Sequence, residues 1–324
     1  LEAMLSPHIS SSPAALDSPR LQINAVSRRR LFALAGTGTL ALVLAACSPQ
    51  EEPAYTAYTQ RDDEQSQFTD AHQSLADELE QIRTSLENAE LSLAVYNYSD
   101  KQTFLFNPDY RGFEASIVKI PLALTAMRCA FADGKVLDEK HRNYVRSSIG
   151  ISDNNATIAV FASLGESDEE RAQQINETYK KLGITNTTAD AGWGSNLTCV
   201  EDHAKICRAV YEGVDWIAMD DMQILREAMQ AKDPGSQGWG VGTLAKLNGA
   251  GAHPADVDAA THVLCKNGWL PDDTQRWNVN SDGVFMAKDK TFALSVMTKG
   301  STNQEEERKL TSRAVEAVVK HLAH

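Results

Sequence analysis

Several features are scarce or missing in this 324-residue chain, and each absence closes off a class of function. A basic excess is missing: the formal net charge is −13, which offers no phosphate-binding face and argues against nucleic acid as a partner. No long block of like charge marks a tail or a membrane-surface helix. The eight histidines show no H-E-x-x-H or other ligand spacing, so no metal is expected. The glycines around Trp239 lack a phosphate-loop lysine, so no nucleotide cofactor is expected either. No cysteine pair stands as C-x-x-C, which disfavours thioredoxin-type redox chemistry and zinc. The apolar run Ala33–Ala46 falls short of the roughly 20 residues that a spanning helix needs.

That short run has its own meaning. Residues 1–26, rich in Ser, Pro and Ala, read as an extension outside the fold. The basic patch Ser27-Arg28-Arg29-Arg30 precedes the run, and Leu44-Ala45-Ala46-Cys47 closes it. A basic region, a short apolar segment and small residues before a cut are the layout of an export signal. The arginines resemble a twin-arginine signal, with the general secretion route also compatible. LAAC resembles a bacterial lipoprotein box with Cys47 as the lipidated residue. The expected organisation is a signal over 1–47, a polar linker over 48–66 and one domain over 67–324. The protein is then held by lipid on the outer face of a cell membrane, as a monomer. Cys129, Cys199, Cys207 and Cys265 remain, as two bridges of open connectivity or as buried thiols.

Within the domain, Phe68, Leu75, Leu79, Ile82 and Leu86 recur at helical spacing. Strands are expected at Leu91–Tyr96 and Thr103–Phe106, with Asn97–Lys101 as the hairpin turn. Residues 114–232 read as mostly helical, notably after Ser116 and over Ala156–Leu164, Glu169–Leu182, Val200–Tyr211 and Trp216–Met229. Strands His262–Lys266, Gly283–Ala287 and Thr291–Met297 follow. A helix over Gln304–Leu322 carries Leu310, Ala314, Val315, Val318 and Leu322 on one face. The implied class is α+β: an antiparallel sheet covered by terminal helices, a separate helical lobe, and a cleft between them.

Three short motifs face that cleft in this arrangement. In Glu114-Ala115-Ser116-Ile117-Val118-Lys119, a lysine stands one helical turn beyond a serine. Free N–H groups at a helix start favour developing negative charge, and apolar neighbours favour a neutral amine. Ser116 is then a nucleophile with Lys119 as its base; a plain helix cap with an exposed lysine is the bland reading. In Ser152-Asp153-Asn154, either of the first two residues can cap the next helix, or Ser152 can relay a proton while the Asn154 amide fixes the lysine and the substrate. In Lys266-Asn267-Gly268-Trp269, a lysine on an edge strand guards against aggregation or binds a substrate carboxylate. Gly268 then admits substrate backbone, and the Trp269 N–H donates to an oxyanion.

In order and separation, S-x-x-K, S-D-N and K-x-G resemble the penicillin-recognising serine hydrolases, specifically the class A β-lactamase type. The likeness spans about residues 68–324, with Trp239-Gly240-Val241-Gly242 and the KNGW tetrapeptide as further local matches. It implies a β-lactamase/transpeptidase-like fold and a Ser116 acyl-enzyme formed on a β-lactam or a peptidoglycan peptide, without a cofactor. It also implies an oxyanion hole from the Ser116 and Trp269 N–H groups, with Lys266 on the substrate's acid group. Two departures stand out. The loop Gly183–Leu197 lacks the glutamate that activates the deacylating water, leaving its only carboxylate, Asp190, as the candidate deacylation base on a shorter stem. Asn267 stands where a hydroxyl residue usually follows the lysine, and its amide is expected to replace that residue's hydrogen bond to substrate, imperfectly. Glu177 reads as a solvated helix residue, and Trp193 and Trp277 as core packing, with cleft lining as the alternative. These departures predict weak deacylation. The alternatives are a DD-peptidase-like penicillin-binding protein and a non-catalytic lipoprotein that keeps the fold.

Overall fold

Thr69 starts the ordered architecture by capping α1 (Asp70–Thr84): its hydroxyl accepts from the His72 N–H, and the His72 ring faces back to the Thr69 N–H. The computed structural model describes residues 69–230, 232–246 and 263–323. The expected signal, Cys47, the linker, Phe68 and His262 lie outside the described residues.

After α1 come β1 (Glu90–Asn97) and β2 (Gln102–Phe106), turned by side-chain bonds from Asn97 and Asp100 to the Ser99 and Gln102 N–H groups. The helical part holds α2 (Lys119–Ala132), α3 (Glu139–Gly150), α4 (Asn154–Ala162), α5 (Asp168–Lys181), α6 (Val200–Glu212) and α7 (Met219–Met229). Two short strands, β3 (Gly112–Phe113) and β4 (Leu197–Thr198), pair with each other. The chain ends with β5 (Leu264–Pro271), β6 (Trp277–Ala287), β7 (Lys290–Lys299) and a C-terminal helix, Gln304–Leu322.

The main sheet runs β2-β1-β7-β6-β5 with every neighbour antiparallel. Leu75, Leu79 and Ile82 of α1 join Leu310, Ala314, Val315 and Val318 of the C-terminal helix over one face. On the other face, Val200 and Ala204 of α6 meet Ala94 and Met297, while Cys207 meets Val284 and Ala293. Ile206 and Val210 of the same helix enter the lobe core beside Leu124, Met127, Ile149, Tyr179 and Leu225. Helix α6 therefore joins sheet and lobe, and each fully buried aliphatic chain contributes about 1.5–3 kcal/mol. Helix α2 is apolar all round because it is the axis of the lobe. The stretch Ala115–Ala132 is long and apolar enough to cross a membrane, yet most of it is buried inside the protein.

The expected α+β architecture is present, with three differences. Strand β6 starts at Trp277 rather than Gly283, because Asn278, Asn280, Ser281 and Asp282 are buried yet break the apolar pattern. Strand β5 continues through Pro271, which an edge strand tolerates. Helix α3 buries only Val145, Ser148 and Ile149 and so gave little periodic signal. Cys129, Cys199, Cys207 and Cys265 are all free thiols.

Candidate active site

Ser116 does not cap a helix. It lies in a 3-10 turn, Ala115–Val118, that runs directly into α2 at Lys119. Side chains three apart eclipse in such a turn, so Ser116 and Lys119 share a face. Ala115 takes a left-handed φ of +48°, which a non-glycine residue adopts only under constraint. The constraint is visible: the Ala115 N–H donates to Gly194 O at 2.7 Å, and the Glu114 N–H donates to Asn196 O at 3.0 Å. Ser116 itself is half-buried.

Asp153, not Ser152, caps α4 by accepting from the Ala156 N–H at 2.9 Å. That frees Ser152, whose left-handed φ of +59° turns both its oxygens toward Lys119. The Lys119 amine donates to Ser152 O at 2.7 Å, to Ser152 Oγ at 3.0 Å and to Asn154 Oδ1 at 2.8 Å. Its bonds thus go to the Ser152 turn rather than to Ser116. From β5, the Lys266 amine donates to the same Ser152 Oγ at 3.0 Å and to Asn267 O at 2.6 Å. One hydroxyl therefore lies between two buried lysines.

Neither ammonium has a carboxylate within ion-pair distance among the described residues. Burial pushes the Lys119 amine down to about 8, with Asp153 opposing weakly. Burial, and then the charge of Lys119, push Lys266 down to about 7. A 5.6 Å approach of the Trp193 ring to the Lys119 amine adds an apolar wall.

Gly268 explains how β5 reaches the Ser116 turn. A methyl group there would stand 2.6 Å from Ser116 N and 2.8 Å from Ile117 N, both backbone atoms. The strand edge and the 3-10 turn are therefore in direct contact, and Trp269 follows immediately. The Trp269 ring packs tilted against Trp239, with the Arg308 guanidinium 4.7 Å from one centroid and 5.3 Å from the other.

Two sequence expectations need correction. Asn267 does not face substrate: its amide donates to Trp239 O at 2.9 Å, and its Oδ1 accepts from Ser281 Oγ at 2.6 Å inside the core. Strand alternation forces this, because Lys266 and Gly268 occupy the opposite side. Asp190 lies on the exposed flank of its loop, with its carboxylate turned back on the Ala191 N–H at 2.7 Å. It lines a shallow groove with Asn186, Thr188 and Ser195, to which none of Ser116, Lys119, Ser152 and Lys266 contributes. Trp193, not Asp190, is the loop residue at Lys119. Trp277 is remote, its indole donating to Thr302 O at 3.2 Å. Glu177 is half in solvent, with Arg128 at 3.4 Å.

Sequence reasoning also missed a buried polar chain behind the Ser116 turn. Glu114 Oε1 accepts from the Tyr179 hydroxyl at 2.7 Å, and Oε2 accepts from Asn196 Nδ2 at 3.0 Å. The His203 ring lies 3.7 Å from Glu114 Oε1 through Nε2 and 2.6 Å from Asp282 Oδ2 through Nδ1. Burial alone would lower the His203 pKa; Asp282 and Glu114 outweigh it together and raise it to about 10. No short motif marks this chain, since its members come from β6, α5, α6 and the Ser116 turn.

A sheet edge, a 3-10 serine turn and a helical lobe that meet at two desolvated lysines form a fold of the β-lactamase/transpeptidase class. A sequence profile of the beta-lactamase enzyme family matches residues 140–322, more than half the chain, and the protein belongs to that family. The matched segment includes Ser152, Asn154, Lys266 and Gly268, and it starts beyond Ser116 and Lys119. No curated protein matches the chain. Among solved structures, TLA-1 extended-spectrum β-lactamase is similar, with a TM-score of 0.64 and 16% identity over 78% of this chain and 100% of that one. A class A β-lactamase from Mycobacterium abscessus superposes with a TM-score of 0.61 at 14% identity, covering 76% and 98% of the respective chains. PBP-A superposes with a TM-score of 0.60 at 17% identity, covering 76% and 94%. At such identities the likeness is one of fold.

Proposed function

We propose that this protein is an acyl-serine enzyme that opens a β-lactam or a related cell-wall amide through Ser116 and releases the acyl group slowly. The observation that carries this reading is the convergence of Lys119, Ser152 and Lys266 on one hydrogen-bonded point beside the Ser116 turn. Ser116 Oγ attacks the carbonyl carbon while its proton passes to the neutral form of Lys119, which burial makes accessible by lowering the pKa to about 8. Negative charge develops on the carbonyl oxygen between the Ser116 and Trp269 N–H groups. When the C–N bond breaks, the Ser152 hydroxyl gives its proton to the leaving nitrogen and regains one from Lys119. Lys266, short of an anionic partner, binds the substrate carboxylate; Asn154 holds Lys119 in place.

Hydrolysis of the acyl-enzyme needs a base for water. The loop over Lys119 presents Trp193 instead, and Asp190 faces outward. Loss of a positioned base typically costs 10²–10⁴-fold, so the adduct is long-lived. The same observation supports a second reading, a peptidase-like penicillin-binding protein acting on cell-wall peptides. In both readings the protein is exported and lipid-anchored through Cys47 as a monomer, supported by the basic patch and the LAAC box.

The test is intact-mass spectrometry after incubation with benzylpenicillin. A single penicilloyl adduct on the parent protein, absent from Ser116→Ala and decaying over tens of minutes or longer, is expected. Absence of any adduct at millimolar penicillin would remove the β-lactam reading; complete turnover within seconds would remove slow deacylation.

A further inference from the structure

Glu114 is fully buried two residues before the nucleophile, in a place where an apolar residue would be easier to accommodate. Every polar atom of this residue is engaged. Its N–H and the Ala115 N–H donate to Asn196 O and Gly194 O, and its carbonyl accepts from Asn280 Nδ2 at 3.1 Å. Its carboxylate takes the Tyr179 hydroxyl from α5 and the Asn196 amide from the loop, with the His203 imidazolium of α6 close behind. Asp282 of β6 holds that imidazolium, and Ser295 of β7 donates to Asp282 Oδ1 at 2.7 Å. One carboxylate thus ties sheet, lobe and loop to the left-handed Ala115 turn.

The loop has two anchors. Its far end is held by Asp202, which accepts from the Asn186 N–H at 2.9 Å and the Thr187 hydroxyl at 2.8 Å. Its near end, Gly194–Asn196, is held by Glu114 and Ala115, and Trp193 over Lys119 comes directly before it. The geometry points to Glu114 as a positioning residue: its carboxylate, hydrogen-bonded by Tyr179 and Asn196 with the charged His203 3.7 Å away, sets the Ser116 turn and the Trp193 loop in a single mutual register. Glu114 touches no substrate; it acts by placing the Ser116 N–H and the wall beside Lys119. The acylation part of the test rests on the function proposed above, and the exchange part does not.

The experiment compares the full chain with Glu114→Gln and with Glu114→Gln combined with Asn196→Asp. The glutamine keeps the shape but turns an amide toward the Asn196 amide. The added aspartate restores a donor–acceptor pair with the carboxylate on the other side. Three quantities are read: the limiting rate of acylation by a fluorescent penicillin, its half-saturation concentration, and hydrogen exchange at the Ala115 amide. Glu114→Gln is expected to slow limiting acylation at least tenfold with less than threefold change in half-saturation, and to speed Ala115 exchange at least tenfold. The double variant is expected to recover most of both. A wild-type rate with wild-type exchange in Glu114→Gln overturns the proposal, as does a double variant that regains the parent's unfolding midpoint but not its acylation rate. If Glu114→Gln does not fold, Tyr179→Phe removes one donor to the same carboxylate; unchanged acylation and exchange there overturn the proposal equally. Should the parent chain not react with penicillin, the substrate reading falls, and exchange alone decides whether Glu114 holds the turn.

Discussion

Lys266→Met should make the protein more stable and inactive at once, and the size of the gain is set by pH. Lys266 is 0% exposed, and its pKa is pushed from 10.5 to about 7. Holding the proton in the fold below pH 7 therefore costs on the order of 5 kcal/mol relative to the unfolded chain. Methionine fills similar volume but abandons the bonds to Ser152 Oγ and Asn267 O, at about 1 kcal/mol each. The variant should lead by about 2–3 kcal/mol at pH 6. The sign with pH follows from the order of the two titrations. The unfolded chain keeps the proton up to 10.5 while the folded one releases it near 7, so the parent's stability rises through this window. The lead at pH 9 should be smaller than at pH 6 by roughly 3 kcal/mol, leaving little or none. Urea denaturation of both proteins at pH 6, 7.5 and 9 measures it. A variant less stable than the parent at pH 6, or a difference independent of pH, would refute the claim that an uncompensated ammonium is buried in the cleft.

Other perturbations isolate other parts of the site. Gly268→Ala drives a methyl to 2.6 Å from Ser116 N, so stability should fall by about 1–3 kcal/mol and acylation at least a hundredfold, read by denaturation and fluorescent-penicillin labelling. Asp190→Asn should leave the lifetime of the acyl adduct within twofold of the parent, because that carboxylate faces solvent; a tenfold longer lifetime would make it the deacylation base after all. Trp193→Ala should admit water to Lys119, shortening the adduct lifetime at least threefold in a fluorescence-decay assay. At saturating penicillin the acylation rate should rise with pH and level off below about 8, the ligand-free value for Lys119, because a carboxylate on Lys266 makes Lys119 easier to empty; a rate that falls across that range excludes Lys119 as the base.

Much of this site was legible because its parts are local. Ser116 and Lys119 are one turn apart, Ser152 and Asn154 flank a capping aspartate, and Gly268 follows a strand lysine, so each motif fits within a few residues. What escaped reading was long-range. Trp193 was assigned to packing because nothing in its neighbours reveals that it ends above Lys119. Asp282 and Asn280 looked like a strand boundary, since a buried polar residue and an exposed one have the same letter. Asn267 was placed in the cleft because its motif position suggested so, whereas strand alternation and the Trp239 carbonyl settle its direction inward. Terminal helices and the hairpin were readable from period alone; α3, with three buried residues in twelve, was not.

The paired lysines also say something about order of events. With no carboxylate within ion-pair distance among the described residues, both compete for one acceptor, Ser152 Oγ, and each positive charge raises the cost of the other. An incoming carboxylate at Lys266 reverses that balance, because an opposite charge a few ångströms away favours the ammonium there. Lys266 then holds its proton and attracts the anion, which leaves Lys119 as the amine that is easier to empty. Substrate binding and activation of the base are in this way one electrostatic event. A neutral amide lacking the acid group should consequently lose acylation rate, and not only affinity: its limiting rate at saturation should fall at least tenfold against the matched acid. An ester or amide pair differing only in that carboxylate measures this directly, and equal limiting rates would separate the two lysines.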